Sequence, residues 1–381
     1  MVIVVNARLL LKGKLEGIGR FTCETLKRIT EQHPEHDFIF VFDRPYDPEF
    51  VFSSNVTPLV IWPPTRHPLL SLFWFECRIP ALLKKYNADL FISTDGILSL
   101  RSSTRQIAVI HDLNFVHRPK DLPSIAACFY NHFFPKYAAK AVRLATVSEY
   151  SRKDISRSFG IPEENIDVVY NGCNNHFTPV SEVEKEAVRA KYSDGHPYFL
   201  FVGALHPRKN VEGLLKAYDL FRIKHQEHAR LVIAGGKMFK TGTISETLER
   251  MKHRDEVIFT GRIPDEELRL LYGGAYALVF VPFFEGFGIP VIEAMSAGVP
   301  VICSNTTSLP EVGGEAALYA DPEQEMQIAD AMYRVSNDEN LRKEMTDRGL
   351  VQAARFTWEQ SANKLWRCIG QVIFSGTDQV P

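Results

Sequence analysis

A chain of 381 residues is longer than one hydrophobic core usually organises, so two domains are expected. With 45% hydrophobic and 24% charged residues the composition is that of an ordinary globular enzyme, which excludes disordered and fibrous classes. A formal net charge of −2 excludes a global attraction to nucleic acid or to an anionic bilayer and leaves only local basic patches open.

The six cysteines (Cys23, Cys77, Cys128, Cys173, Cys303 and Cys368) are scattered, with no C-x-x-C pair. That pattern predicts reduced, mostly buried thiols rather than a disulfide frame or a zinc site. Residues 2–5 are a short β-branched run suited to a buried parallel strand, standing where a signal peptide would begin. No apolar run reaches the ~18 residues of a membrane span, so a cytoplasmic protein is expected.

Glu16-Gly17-Ile18-Gly19-Arg20 follows the first strand, and residues 21–30 read as a helix. This strand, glycine loop and helix would suit a neighbouring phosphate. Thr22 stands where a dinucleotide fingerprint needs its third glycine, which counts against an NAD site. A glycine turn that only permits tight packing explains the same residues. Residues 38–42 are a second strand. Between Pro63 and Tyr86 an apolar, aromatic helix is expected around 69–75, with a second segment at 81–86. Such a surface is most often core; its other use would be docking on a bilayer that carries a lipid-linked acceptor.

Further strands are expected at 89–93 and 106–110, and His111-Asp112 follows the latter. That is the carboxyl end of a strand, where open α/β sheets place ligands, so a functional histidine is favoured over a structural one. A strand at 144–147 precedes Ser148 and Ser151, either of which can cap the next helix. After the strand 167–170 and Asn171-Gly172, regular pattern lapses over 173–179, and a charged helix restarts at 182–191. The domain boundary is placed there, giving domains over 1–175 and 176–357.

The second half repeats the alternation. A buried strand at 198–202 is closed by Gly203, followed by His206-Pro207-Arg208-Lys209-Asn210 and a helix through His225. Two adjacent cations beyond a strand's carboxyl end suit a diphosphate, Arg as a planar fork and Lys as a point charge. Strands follow at 231–234, 257–260, 277–281 and 300–303; Arg262 comes after Gly261, and Asp321-Pro322 closes a turn before another helix. The last segment, 358–374, is an amphipathic helix with Leu365, Trp366, Ile369 and Val372 on or near one face.

The most informative stretch is 283–298, FFEGFGIPVIEAMSAG. A strand ends at Pro282, a glycine-punctuated loop carries Glu285, Pro290 opens a helix, and Glu293 lies one turn inside it. Two carboxylates thus flank a helix N-terminus that favours an anion, an arrangement suited to a ligand with both phosphate and hydroxyls. Glu285-Gly286-Phe287-Gly288-Ile289-Pro290 with Glu293 resembles the E-x7-E signature of retaining nucleotide-sugar glycosyltransferases of the GT-B fold, glycosyltransferase family four.

The resemblance implies a function for each motif. Glu285 and the amides of Gly286, Phe287, Gly288 and Ile289 would hold the hydroxyls of the donor sugar, and Glu293 the ribose. Gly17 and Gly19 would face the donor diphosphate, and His111 would approach the donor sugar or the acceptor. Gly203 with Arg208 and Lys209 matches the diphosphate-binding region in position. The two cations are adjacent here rather than spaced as in the family, which leaves open which carries the main phosphate contact. Arg262 falls where relatives hold the base. Two doubly wound, Rossmann-like domains would face one another with the donor between them, and the helix at 358–375 would return to complete the first.

The reaction implied is transfer of a hexose from a nucleoside diphosphate to a hydroxyl of a glycan or lipid-linked glycan, with retention. The form of the motifs leans to mannose, with a GDP- or UDP-linked donor. No D-x-D triplet occurs, so neither a metal nor another cofactor such as pyridoxal phosphate is expected. No nucleic-acid partner is expected, and peripheral contact with the inner face of a membrane would suit a lipid-linked acceptor. The alternatives on the same scaffold are a nucleotide-sugar epimerase, a phosphorylase and a catalytically silent sugar-nucleotide-binding protein, with a dehydrogenase more distant.

Overall fold

The computed structural model describes residues 1–225, 228–236 and 242–374. Contacts divide the chain into two compact units: residues 1–171 together with the helix Trp358–Phe374, and residues 172–357.

The first unit is built on a seven-stranded parallel sheet. Its strands are β1 (Val2–Asn6), β2 (Asp37–Phe42), β3 (Val56–Val60), β4 (Leu90–Ser93), β5 (Arg105–Val109), β6 (Arg143–Thr146) and β7 (Ile166–Val168). Spatial order is β3-β2-β1-β4-β5-β6-β7, so the order reverses between β1 and β4. β4 is buried end to end and β1 in all but Val2, as in a parallel sheet covered on both faces, which is why they read as apolar runs. The sequence pattern misses β3, since Pro58 interrupts it. Its position at the sheet edge explains the tolerance: an edge strand has one side free of ladder bonds.

The helix Gly17–Gln32 begins four residues earlier than the expected 21–30, so both glycines lie in its first turn and not in a loop. The expected helix around 69–75 is part of a longer helical run: Pro68–Phe73, a wider turn at Trp74–Arg78, and Ile79–Lys85. This run divides its apolar residues. Trp74, Phe75, Ile79 and Leu83 enter the core, whereas Leu69 and Phe73 are 70% and 46% exposed. The terminal helix packs on Gly17–Gln32, with Trp366 stacked 3.7 Å from His33 and Trp358 edge-on to Phe21 at 6.5 Å. Arg105 donates to its Val372 carbonyl at 2.6 Å, and position 375 lies outside the described residues.

The second unit holds a six-stranded parallel sheet of β8 (Tyr198–Val202), β9 (Arg230–Ala234), β10 (Val257–Gly261), β11 (Ala277–Phe280), β12 (Val301–Ser304) and β13 (Ala317–Ala320). The order is β10-β9-β8-β11-β12-β13, with β8 and β11 paired through Phe199↔Ala277 and Leu200↔Leu278. The short strand β13 carries no pattern that separates it from a loop. The cysteines form no disulfide; Cys173, Cys303 and Cys368 are buried, Cys23 and Cys77 half-buried, and Cys128 is exposed, contrary to the mostly buried set expected.

Candidate active site

Strand order in the second unit reverses between β8 and β11, with β9 and β10 on one side and β12 and β13 on the other. In an open parallel sheet such a reversal opens a crevice beyond the carboxyl ends of the two strands, because their loops leave toward opposite faces. Both charged motifs open from this point: Arg208 and Lys209 after β8, Glu285 after β11.

Arg208 and Lys209 belong to a single tight turn, Pro207–Lys209, which starts at His206, whose ring Nδ1 accepts from the Arg208 amide at 3.2 Å. Asn210 ends the turn in the left-handed region, φ +55, and its side chain donates to the carbonyls of Val281 and Pro322 at 3.0 and 2.7 Å. Gly213 leaves room for it, since a Cβ there would lie 2.4 Å from the Asn210 Oδ1. The Phe283 amide donates to the Arg208 carbonyl at 2.9 Å. From the other side Ser308, wholly buried, bonds the carbonyls of Glu285 and Phe287 at 2.9 and 3.1 Å, and Ser304 that of Pro282 at 2.6 Å. The loop carrying Glu285 is thereby held from two directions.

Arg208 and Lys209 converge on one carboxylate oxygen. The Arg208 Nη1 donates to Glu285 Oε2 at 2.8 Å and to the Phe284 carbonyl at 3.0 Å. The Lys209 ammonium donates to the same Oε2 and sits 4.7 Å from the centre of the Phe280 ring. The adjacency of the two cations therefore does not separate them: Arg reaches as far as Lys. Burial alone would raise the Glu285 carboxyl, but Arg208 and then Lys209 outweigh it and hold it below the ordinary carboxylate range. Two cations and one anion leave the cluster with one net positive charge, suited to a diphosphate.

Gly288 takes φ +104 just before the helix Ile289–Ser296, and a Cβ there would lie 2.5 Å from a Leu309 methyl. Pro290 is the second residue of that helix, where its missing N–H leaves no bond unmade. Gly286 and Phe287 are buried and Ile289 half-buried. Glu293 is buried, and its carboxylate accepts from the Tyr272 hydroxyl at 2.9 Å. Gly203 takes φ +150 beyond β8. Arg262 is exposed and makes no ion pair among the described residues. So Gly203, Arg208, Lys209, Glu285 to Ile289 and Glu293 gather at the carboxyl edge of one sheet.

His111, Gly17 and Gly19 belong to the first unit. The His111 Nε2 donates to the Thr94 carbonyl at 3.0 Å, and Phe21 meets the ring edge-on at 5.1 Å. Burial lowers its pKa against the opposing effects of that bond and of Asp112 and Asp95, so the ring is neutral at pH 7. With the proton on Nε2, Nδ1 is an acceptor. Gly17 has open space where a Cβ would be, but a Cβ on Gly19 would lie 2.7 Å from the Leu9 carbonyl oxygen. Gly19 is therefore required by packing, whatever else it does.

Three of the supporting side chains, Asn210, Ser308 and Tyr272, were not legible in the sequence, because each acts on a segment distant in the chain. A fourth, Gly235, had a visible signal in the pair Gly235-Gly236 after a strand: its Cβ would fall 1.8 Å from the Gly203 carbonyl oxygen. Among the described residues no group of three His, Cys, Asp or Glu side chains is placed to hold a metal ion.

Residues 183–351 match the family of glycosyl transferases group 1, and residues 15–177 match Glycosyltransferase Family 4. The chain is 35% identical over 361 residues to O-antigen chain mannosyltransferase B of Escherichia coli, covering 92% of this chain and 94% of that one. It is 29% identical to O-antigen chain mannosyltransferase RfbU of Salmonella typhimurium, covering 75% and 76%. Among solved structures it superposes on WaaG, a glycosyltransferase involved in lipopolysaccharide biosynthesis, with a TM-score of 0.78 over 99% of this chain and 100% of that one, at 14% identity. With two Rossmann-like sheets of this order, the charged cluster at the second sheet's reversal and these likenesses over nearly the whole length, the chain belongs to the GT-B glycosyltransferases of family 4 and group 1.

Proposed function

We propose that this protein is a retaining mannosyltransferase, moving mannose from GDP-mannose to a hydroxyl of a glycan or lipid-linked glycan. The observation that carries the reading is the meeting of Arg208 and Lys209 on the Glu285 carboxylate at the strand reversal. Its 35% identical relative, the O-antigen chain mannosyltransferase B of Escherichia coli, favours mannose.

As the bond from the sugar's anomeric carbon to the diphosphate breaks, negative charge grows on the departing phosphate and the sugar gains oxocarbenium character. Arg208 and Lys209 stabilise the first, as preorganised charges aimed at the place where charge develops. They take the part a divalent metal plays elsewhere, and the reaction is metal-independent. The incoming hydroxyl attacks from the face that the diphosphate leaves and gives its proton to the departing phosphate oxygen, which retains the configuration. A carboxylate with two cations on one of its oxygens is a weakened nucleophile, which favours Glu285 as a holder of sugar hydroxyls over a covalent partner. Glu293 accepts from the ribose hydroxyls, and the neutral His111 accepts from a hydroxyl of the donor sugar or acceptor.

A second observation favours work at the inner face of a membrane. No described helix is long and apolar enough to cross one. Trp62 and Leu69, however, are 72% and 70% exposed on a segment where Arg66, Arg78, Lys84 and Lys85 are also exposed and make no ion pair among the described residues. Aromatic and aliphatic side chains flanked by unpaired cations fit an anionic bilayer surface.

A thermal-shift panel of GDP, UDP, ADP and dTDP, followed by turnover of GDP-mannose, tests the donor. GDP at 100 times its dissociation constant should add about 2.7 kcal/mol. NMR of the product should show an α-linkage, as in the donor. Stabilisation by UDP alone overturns the base and sugar, and a β-linked product overturns retention. Binding without turnover on any glycan acceptor would leave a silent binding protein. Sedimentation with phosphatidylglycerol vesicles but not phosphatidylcholine vesicles, lost in Trp62→Ser/Leu69→Ser, tests the membrane surface.

A further inference from the structure

Glu293 has a partner that no motif announced. Tyr272 is fully buried on the helix Asp265–Gly274, and its hydroxyl donates to Glu293 Oε2 at 2.9 Å. We propose that Tyr272 is a positioning residue for the nucleotide ribose: its hydroxyl fixes the rotation of the Glu293 carboxylate so that the ribose 2′- and 3′-hydroxyls meet it in one geometry. The inference rests on the reading of Glu293 as the ribose ligand.

Two arguments support it. A hydroxyl bonded to a carboxylate is among the stronger neutral-to-charged contacts, and it offsets part of the cost of burying that carboxylate. The tyrosine is itself held on several sides. Phe177 meets its ring edge-on at 5.6 Å. The next two residues, Gly273 and Gly274, seat the helix end closely: a Cβ on Gly273 would lie 2.3 Å from a Val180 methyl, and one on Gly274 2.5 Å from the Tyr198 hydroxyl. The Tyr198 hydroxyl also donates to the Leu271 carbonyl at 2.6 Å. A side chain locked in this way can orient a ligand group, whereas one merely satisfying a buried carboxylate needs no such rigidity.

The test is calorimetric titration of the whole protein with GDP and with 2′,3′-dideoxy-GDP, with UDP and its dideoxy analogue run beside them to cover the other base. Tyr272→Phe keeps the ring and loses the bond. It should weaken binding of the ribonucleotide roughly five- to tenfold, about the net worth of one hydrogen bond, and leave the dideoxy analogue unchanged. In Glu293→Gln the further change Tyr272→Phe should add nothing, and a melting curve of each variant separates lost binding from poor folding. Equal weakening with both nucleotides would make Tyr272 a structural residue and overturn the proposal, as would no weakening at all. If Glu293→Gln weakens only the ribonucleotide while Tyr272→Phe has no effect, the positioning role alone fails. If Glu293→Gln treats both nucleotides alike, the ribose reading fails and takes the positioning role with it.

Discussion

Arg208 and Lys209 share one oxygen of Glu285, so each is placed by the same carboxylate that holds the donor sugar in the proposed reaction. The bound donor already carries diphosphate charge, and more gathers on the terminal phosphate as the sugar leaves, so the cations count for more in the transition state than in the ground state. Arg208→Ala and Lys209→Ala should each lower kcat by roughly 10²–10³ while raising the donor's KM much less. A rise in KM alone would make the residue a plain binding contact. Under the proposal that these two side chains take the place of a metal, the rate in excess EDTA should stay near its starting value; complete loss restored by magnesium or manganese would refute that. The same cluster predicts an acid response. The Glu285 carboxyl is held below its ordinary value near 4.5, so it adds stability above that pH which is lost as pH falls through the lowered value. Acid unfolding curves of the wild type and Glu285→Gln should therefore converge as pH falls through that lowered value.

At the scale of elements, the carboxyl ends of β8, β9 and β10 are stitched to one another through backbone. The Gly203 amide donates to the Ala234 carbonyl at 2.9 Å, and the Gly235 amide to the Gly261 carbonyl at 2.8 Å. These loops follow β8, β9 and β10 in turn and approach so closely that a Cβ on Gly235 would overlap the Gly203 oxygen. Gly235→Ala should cost at least about 3 kcal/mol in urea unfolding, since only backbone movement relieves it. The adjacent Gly236 has nothing within 4 Å of where its Cβ would be, so Gly236→Ala should stay within about 1 kcal/mol. In the first unit, a bulky residue at Gly19 would meet the Leu9 carbonyl, so Gly19→Leu tests packing of the helix Gly17–Gln32 before it tests any donor contact.

At the scale of the molecule, all four tryptophans (Trp62, Trp74, Trp358 and Trp366) lie in the first unit, while the proposed donor ligands Arg208, Lys209, Glu285 and Glu293 lie in the second. Tryptophan fluorescence therefore reports one unit, and nucleotide affinity the other. Leu365 is wholly buried on the terminal helix. Leu365→Ala should destabilise the fluorescence-detected transition by about 2–5 kcal/mol, as for other large-to-small core changes. GDP affinity should hold. A parallel loss of affinity would mean that the two units do not unfold independently.

Much of this protein was determined by its sequence alone. Buried parallel strands announce themselves as short β-branched runs because both faces are covered, so the strand-helix alternation was legible; the two-domain division followed from length, and the motif around Glu285 and Glu293 from its loop-helix setting and family resemblance. The return of the helix Trp358–Phe374 was expected from family resemblance and its apolar face, but its partner was not legible. Only the tertiary structure decided which strands are neighbours. That Arg208 and Glu285, 77 residues apart, meet at one oxygen follows from β8 pairing with β11, a matter of crossover connections that local pattern does not encode. The supporting residues followed the same rule. Tyr272, Asn210 and Ser308 look like any buried tyrosine, helix-preceding asparagine or turn serine until the fold brings a carboxylate or a carbonyl against them. Local propensity fixes the elements, whereas the partners of a buried polar group depend on long-range packing, where its need for a hydrogen bond is met.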